Sequence, residues 1–203
     1  MTSANSVLAT NIQRRCLLWV EIYREAGYEE AARAARLSRQ SVDRSDTVGD
    51  ELGFADSELF KALLLADKDA SGDPHAAGLR QIVFWIGVSA PLYWWKHMDR
   101  YSVGKDQASD STMYNLMCRP LTKLDFQCTI PTLLLWWLNY NIKRNNFKVV
   151  NACLPLSYLQ ERALMVSLPT LRRIIRQRSG HKLSEWNIFI SEIKAQARYP
   201  NLL

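Results

Sequence analysis

Paired cysteines, clustered histidines, long apolar runs and repeats are all missing from these 203 residues, and each absence removes a class of protein. Cys16, Cys118, Cys128 and Cys153 form no CxxC pair. His75, His97 and His181 stand far from them and from one another, so no metal site is expected. Lone thiols of this kind are expected as small core residues of a reducing compartment. The longest apolar stretch, around 130–138, is shorter than the roughly 20 residues needed to cross a bilayer, so no membrane span is expected. The first six residues open no basic region followed by an apolar stretch and a small-residue cleavage site; secretion by that route is not expected, and a cytoplasmic setting follows. Low-complexity tracts are absent, and no side chain stands out as a nucleophile.

What is present suits one compact domain: 48% of residues are hydrophobic and 23% charged. The net charge of +6 and pI near 9.2 favour anionic partners, a description that covers nucleic acid, nucleotides or a soluble basic surface.

Apolar residues Ile12, Cys16, Trp19, Val20 and Tyr23 recur at helical spacing, and after Gly27 an alanine-rich run, Glu29 to Arg36, predicts a second helix. Residues 38–53 read as a loop, and Asp56 to Ala66 as a helix with Ser57 as N-cap and Phe60, Leu63 and Leu64 as its stripe. Asp69 to Pro74 is a turn by composition. Ile82 to Ile86 has the β-branched and aromatic content of a buried strand, which Ser89-Ala90-Pro91 should break; Leu92 to Trp95 suits a strand or a packed helix equally. Lys105 to Ser111 reads as loop and Pro131 to Tyr140 as a mostly buried helix, followed by a basic turn at Lys143 to Asn146. Leu164, Leu168, Leu171, Ile174 and Ile175 make one amphipathic face, and Trp186, Phe189, Ile190 and Ile193, beyond Gly180, make the next. The predicted class is α+β: a single helix-rich domain, 1–203, with a mixed or antiparallel sheet.

Arg172 and Arg176 suit a solvated helix face. Arg178 differs, because it ends its helix one turn past Ile174 on the apolar side, where a guanidinium is partly desolvated and grips a carbonyl or phosphate. The rings of Phe84, Trp85, Tyr93, Trp94, Trp95 and Tyr101 suit either a core or a stack on a planar ligand. His75 can donate to a phosphate or ring nitrogen. The segment Tyr28 to Arg44 has the look of a helix-turn-helix, but its turn lacks glycine and Asp43, Asp46 and Asp50 lie where phosphates should, so nucleic acid is not the expected partner.

Taken in order, several segments resemble the flavin-dependent thymidylate synthases. Ala34-Ala35-Arg36-Leu37-Ser38 is similar to the family's N-terminal AARVS, and His75 precedes Phe84 by nine residues, as the family's flavin-contacting histidine precedes its IVF strand. Ile82-Val83-Phe84 and Val88 to Pro91 resemble IVF and VxAP at the family's spacing. The signature RHRxxSxNExSxRY then begins at Arg100-Tyr101-Ser102 and closes at Ser111 to Tyr114, and Leu154-Pro155 resembles the end of RxxLP. The phrases from Ala90 to Trp95 and from Gly180 to Trp186 are closer still to a phage-encoded branch of the superfamily.

The resemblance implies reductive methylation of dUMP to dTMP, with FAD carrying hydride, NADPH reducing the flavin and methylenetetrahydrofolate supplying the carbon, in a homotetramer. It implies that Ser38 and His75 contact flavin or folate, and that Arg100, with Tyr101 and Ser102 completing the triplet, faces the flavin phosphates. It further implies that Ser111 takes the nucleotide phosphate and Arg178 stabilises charge on the uracil. Five family anchors are replaced: the histidine and second arginine of RHR by Tyr101 and Ser102, the signature's acid by Ala108 or Ser109, its last arginine by Met113, and the arginine of RxxLP by Asn151. Each charge-assisted hydrogen bond contributes about 1.5–3 kcal/mol, so standard ligands bind more weakly unless Lys96, Lys105 or Arg119 compensates. The alternatives are a related pyrimidine modification, a noncatalytic nucleotide-binding or interaction protein on the same scaffold, or the helix-turn-helix DNA binder.

Overall fold

A computed structural model describes residues 18–66 and 77–203. Ile12, Cys16, His75 and the turn expected at Asp69 to Pro74 lie outside the described residues. Four strands, β1 (Trp19–Ala26), β2 (Val83–Pro91), β3 (Lys105–Ser109) and β4 (Leu159–Ser167), form one sheet in the order β1-β2-β4-β3. Eight α-helices accompany them among the described residues: α1 (Tyr28–Leu37), α2 (Phe54–Ala66), α3 (Leu92–Met98), α4 (Thr112–Cys118), α5 (Thr132–Lys143), α6 (Phe147–Ala152), α7 (Leu168–Arg178) and α8 (Ser184–Gln196). The class is α+β with an antiparallel sheet, as the sequence suggests.

The register follows from the backbone hydrogen bonds flanking the strands. Leu168 donates to Ile82 and Leu92 to Tyr158, so paired numbers across β2 and β4 sum to a constant, the mark of antiparallel pairing. Asp110 to Glu161 and Ser167 to Gly104 give the same relation for β3 and β4. Residues Ile86 to Pro91 of β2 are all buried, which suits an inner strand covered on both faces.

The chain divides into two compact units, one of described residues 18–19, 88–100 and 108–162, the other of 20–66, 77–87, 101–107 and 163–203. The first is built on Leu116, Leu121, Phe126, Ile130, Leu138, Ile142, Val150 and Tyr158. The second buries Tyr28, Phe60, Leu79, Ile82, Phe84, Leu171, Trp186 and Phe189. Burial of such side chains, about 1.5–3 kcal/mol each, is what sets their helices in place.

Several expectations are corrected. Trp19, Val20 and Tyr23 belong to strand β1, whose burial follows neither strict period. Gly27, at φ 97°, ends that strand, and a Cβ there would collide with the Gln81 carbonyl. Ser89-Ala90-Pro91 does not break β2 but finishes it, and Leu92 to Trp95 open helix α3. Lys105 to Ser109 form the edge strand β3, polar and mostly exposed because its outer edge and both its faces meet solvent. Ser57 lies inside α2 rather than capping it. The first amides of that helix, Ala55 and Asp56, donate instead to the Asp46 carboxylate at 2.8 and 3.0 Å. Leu164 lies in β4, so the stripe of α7 starts at Leu168. Helix α5 is not mostly buried, for Leu133, Trp136 and Tyr140 are exposed. Cys118, Cys128 and Cys153 are exposed free thiols, because they fall at a helix end and in surface turns. The candidate recognition helix is a single 3-10 turn, Val42–Arg44, which removes the helix-turn-helix reading.

Candidate functional site

Arg178 is the last residue of α7, and α7 is held by its apolar face: Leu168, Leu171, Ile174 and Ile175 are buried. The stretch leading into β3 is pinned to the start of the same helix. Ser167 donates its amide to Gly104, Thr170 donates its hydroxyl to the Val103 carbonyl at 3.0 Å, and Gly104 at φ 71° leaves no room for a Cβ beside the two hydroxyls. That anchoring turns Tyr101 inward, where it is 6% exposed. Arg178 Nε donates to the Tyr101 hydroxyl at 2.9 Å. Its guanidinium carbon lies 5.4 Å from the Tyr101 ring centre and 4.9 Å from that of Trp186. Two rings and one oxygen therefore fix a half-buried cation. Its terminal nitrogens have no carboxylate partner among the described residues. Such a fork can hold a planar carbonyl group or a phosphate through paired N–H donors.

Ser38 is exposed at the C-terminal end of α1. It lines a separate cavity of about 660 Å³ with Ala34, Ala35, Arg39, Leu59, Leu63 and Gly78. The walls are apolar, with a hydroxyl and a guanidinium among them. Ser102 is exposed two positions before Gly104.

In the other unit Arg100 is exposed just past α3, and Ser111 is the exposed N-cap residue of α4 whose side chain makes no capping bond. Next to Ser111, Asp110 enters a cavity of about 410 Å³ lined also by Ser89, Asn115, Arg119, Asp125, Tyr158 and Glu161. Burial, with a smaller push from the Glu161 charge, raises the Asp110 pKa above the usual carboxylate range despite a bond from Asn115. Asp110 Oδ1 is buried without a hydrogen-bond partner. A carboxyl that keeps its proton to higher pH beside a cavity can give or take one there. Arg119 is not free to replace a lost anchor, because both its terminal nitrogens bond the Asp125 carboxylate. Lys105 donates to Gln107, and Lys96 is exposed on α3.

Tyr101 and Arg178 are thus brought into contact, while Ser38 lines a different cavity. Asp110 escapes sequence reasoning; its only signal there is its place beside Ser111. Among the described residues no group of three or more His, Cys, Asp or Glu is arranged to hold a metal, and no helix is long and apolar enough to cross a membrane. Of the aromatic cluster, Phe84, Trp94, Trp95 and Tyr101 are buried, with Trp95 Nε1 donating to the Gln160 carbonyl at 3.0 Å.

No protein-family model and no curated protein matches the chain. Solved structures do. A flavin-dependent thymidylate synthase from Helicobacter pylori complexed with FAD and dUMP superposes with a TM-score of 0.70 at 16% identity, covering 90% of this chain and 96% of that one. A second structure of that enzyme with FAD and dUMP gives 0.71 at 16% identity over 92% and 96%. A UMP/dUMP methylase, PolB, from Streptomyces cacaoi bound with 5-Br dUMP gives 0.62 at 14% identity over 89% and 90%. The fold is that of the flavin-dependent thymidylate synthases, as the ordered sequence segments imply.

Proposed function

We propose that this chain binds a pyrimidine deoxynucleotide of the dUMP class and, with FAD, adds a one-carbon unit to its base. The observation that carries the reading is the Arg178 guanidinium, held by Tyr101 and Trp186 with its terminal donors uncommitted to any described carboxylate. A pyrimidine ring under attack gathers negative charge on its carbonyl oxygens. A cation fixed in place stabilises that charge without having to reorganise. The three nucleotide-bound structures of the same fold support the choice of ligand.

Ser111, whose hydroxyl caps nothing, keeps the phosphate role that the resemblance implies. The residues present fit a flavin at the Ser38 cavity, where Leu59 and Leu63 offer apolar wall to a flat ring and Ser38 and Arg39 offer donors to its polar edge or phosphates. Exposed Ser102 is available to the flavin phosphates, and Arg100 and His75 keep the flavin contacts that the resemblance implies. Tyr101 does not fit that role, because its hydroxyl is bonded to Arg178 and its ring is buried; it positions the arginine instead. When bound, FAD supplies the hydride that completes a methyl group, NADPH restores it and methylenetetrahydrofolate donates the carbon. Among the described residues Asp110, whose Oδ1 is buried without a hydrogen-bond partner beside a cavity, is suited to hold or pass a proton. A homotetrameric, cytoplasmic and phage-encoded protein belongs to the same reading.

The loss of Tyr101 from the flavin side also favours a second reading, a nucleotide binder without turnover. Calorimetric titration of dUMP into the full chain tests the shared part. Arg178→Ala, with unchanged circular dichroism, is expected to weaken dUMP about 10- to 100-fold, the worth of one charge-assisted contact. Affinity equal to that of the parent chain would remove Arg178 from the site.

A further inference from the structure

We propose that the exposed face of α5 is a stacking surface for single-stranded nucleic acid. Trp136, Tyr140 and Arg144 follow one another at four-residue spacing and so share one face across the end of the helix. The two rings are stacked, with centres 5.6 Å apart and planes 20° from parallel, and the Arg144 guanidinium lies 4.7 Å from the Tyr140 ring centre. Trp136 is 60% exposed and Tyr140 41%. A groove of about 530 Å³ runs beside them, walled by Met117, Pro120 and Lys143. Stacked rings open to solvent offer apolar faces to another flat ring, a use for which every nucleobase is suited whatever its sequence.

Charge selects among flat ligands. Between residues 112 and 155 the basic side chains are Arg119, Lys123, Lys143, Arg144 and Lys148, and Asp125 is the lone acid. Asp125 is consumed by Arg119. The other four are exposed with no carboxylate partner among the described residues, and two of them mark this surface: Arg144 over the Tyr140 ring and Lys143 in the groove wall. An apolar partner does not call for those cations, and an acidic peptide does not call for the ring stack. A strand with free bases and a charged backbone uses both, whereas a duplex hides its base faces. The acids at positions 43, 46 and 50, which argued against nucleic acid in the sequence, lie in a different segment.

The test is fluorescence anisotropy of labelled dT15 and U15 with the full chain at 50 and 200 mM salt. Binding is expected at 50 mM and should weaken roughly 5- to 10-fold at 200 mM, as about two neutralised phosphates dictate. Trp136→Ala should weaken it roughly fivefold or more. Replacing Lys143 and Arg144 together by Ala should flatten the salt dependence, while dUMP affinity is unchanged in both variants, so this surface and the nucleotide site are judged separately. Preference for U15 assigns RNA, preference for dT15 assigns DNA, and equal binding assigns a strand of either kind. Absence of binding at 50 mM salt, or affinity indifferent to both variants, overturns the proposal. So does light scattering that shows an oligomer dissociating on Trp136→Ala, since the stripe would then be a contact between copies.

Discussion

Arg178 and Tyr101 stand 77 positions apart in sequence and 2.9 Å apart at their polar atoms, and the consequences of that bond are separable. Tyr101→Phe keeps the ring and its contact with the guanidinium but deletes the oxygen that fixes Nε. Nucleotide affinity is expected to fall severalfold, less than in Arg178→Ala, with Arg178 less well aimed rather than lost. Calorimetric titration checks it; an effect as large as that of Arg178→Ala would mean that Tyr101 touches the ligand itself. Asp110 gives a pH prediction. Its folded pKa is raised by burial, so the folded state holds the proton more tightly than the unfolded chain. The stability it contributes is present below the ordinary carboxylate pKa and lost as pH rises through the raised value. Urea unfolding should therefore show the parent chain losing stability relative to Asp110→Asn between pH 4 and pH 8, and parallel profiles would contradict that. The sequence points to Arg178 because an arginine at the apolar side of a helix end is legible from periodicity. It does not disclose that Tyr101 is its partner, nor that Asp110 is perturbed, because those environments come from distant segments such as α7 and β4.

Helices α1 and α2 meet through a buried ion pair with a large hydrogen-bond complement. Arg36 Nε donates to Asp56 Oδ1, while Oδ2 accepts from the Ser45 hydroxyl at 2.7 Å, the Thr47 hydroxyl at 2.8 Å and the amides of Asp46 and Thr47 at 3.1 and 3.2 Å. Burial alone would push the Asp56 pKa up, but these bonds and the arginine outweigh it and lower the value to about 2. Here the sign is opposite to that of Asp110. The hydrogen-bonded Asp56 carboxylate, held by Ser45, Arg36 and Thr47 together, adds about 2 kcal/mol above the ordinary aspartate pKa, and that stability is lost as pH falls toward 2. Asp56→Ala, which strands the Arg36 charge, should cost about 3–5 kcal/mol in urea unfolding at pH 7. A cost below about 1 kcal/mol would mean that the pair is not the joint it looks to be. Elements with one strong period, α1, α7 and α8, are legible in the sequence. Strand β1 is not, because half-exposed residues such as Trp19 and Tyr23 mimic helical spacing, and β3 is not, because an uncovered polar edge strand has no apolar alternation to read.

For the whole molecule, the order of short segments along the chain carries the fold, which pairwise identity of 14–16% hides. Its α+β class follows from runs of helix broken by a few β-rich stretches. The exposure of α5 is invisible to composition, since Trp136 and Tyr140 are as apolar as core residues and only the packed structure shows which face they occupy. Net charge of +6 is legible, but its use is not. The structure separates a guanidinium committed to aromatic rings, an arginine consumed by Asp125 and two exposed cations, Lys143 and Arg144, beside a ring stack. Whether the chain uses a flavin is decided by the visible absorption spectrum of the purified full chain with FAD added and dUMP titrated in. Bound flavin with sharpened, shifted bands that change again on dUMP addition is the predicted result. A spectrum identical to free FAD at saturating flavin, with or without dUMP, would contradict the account of a flavin-using pyrimidine enzyme.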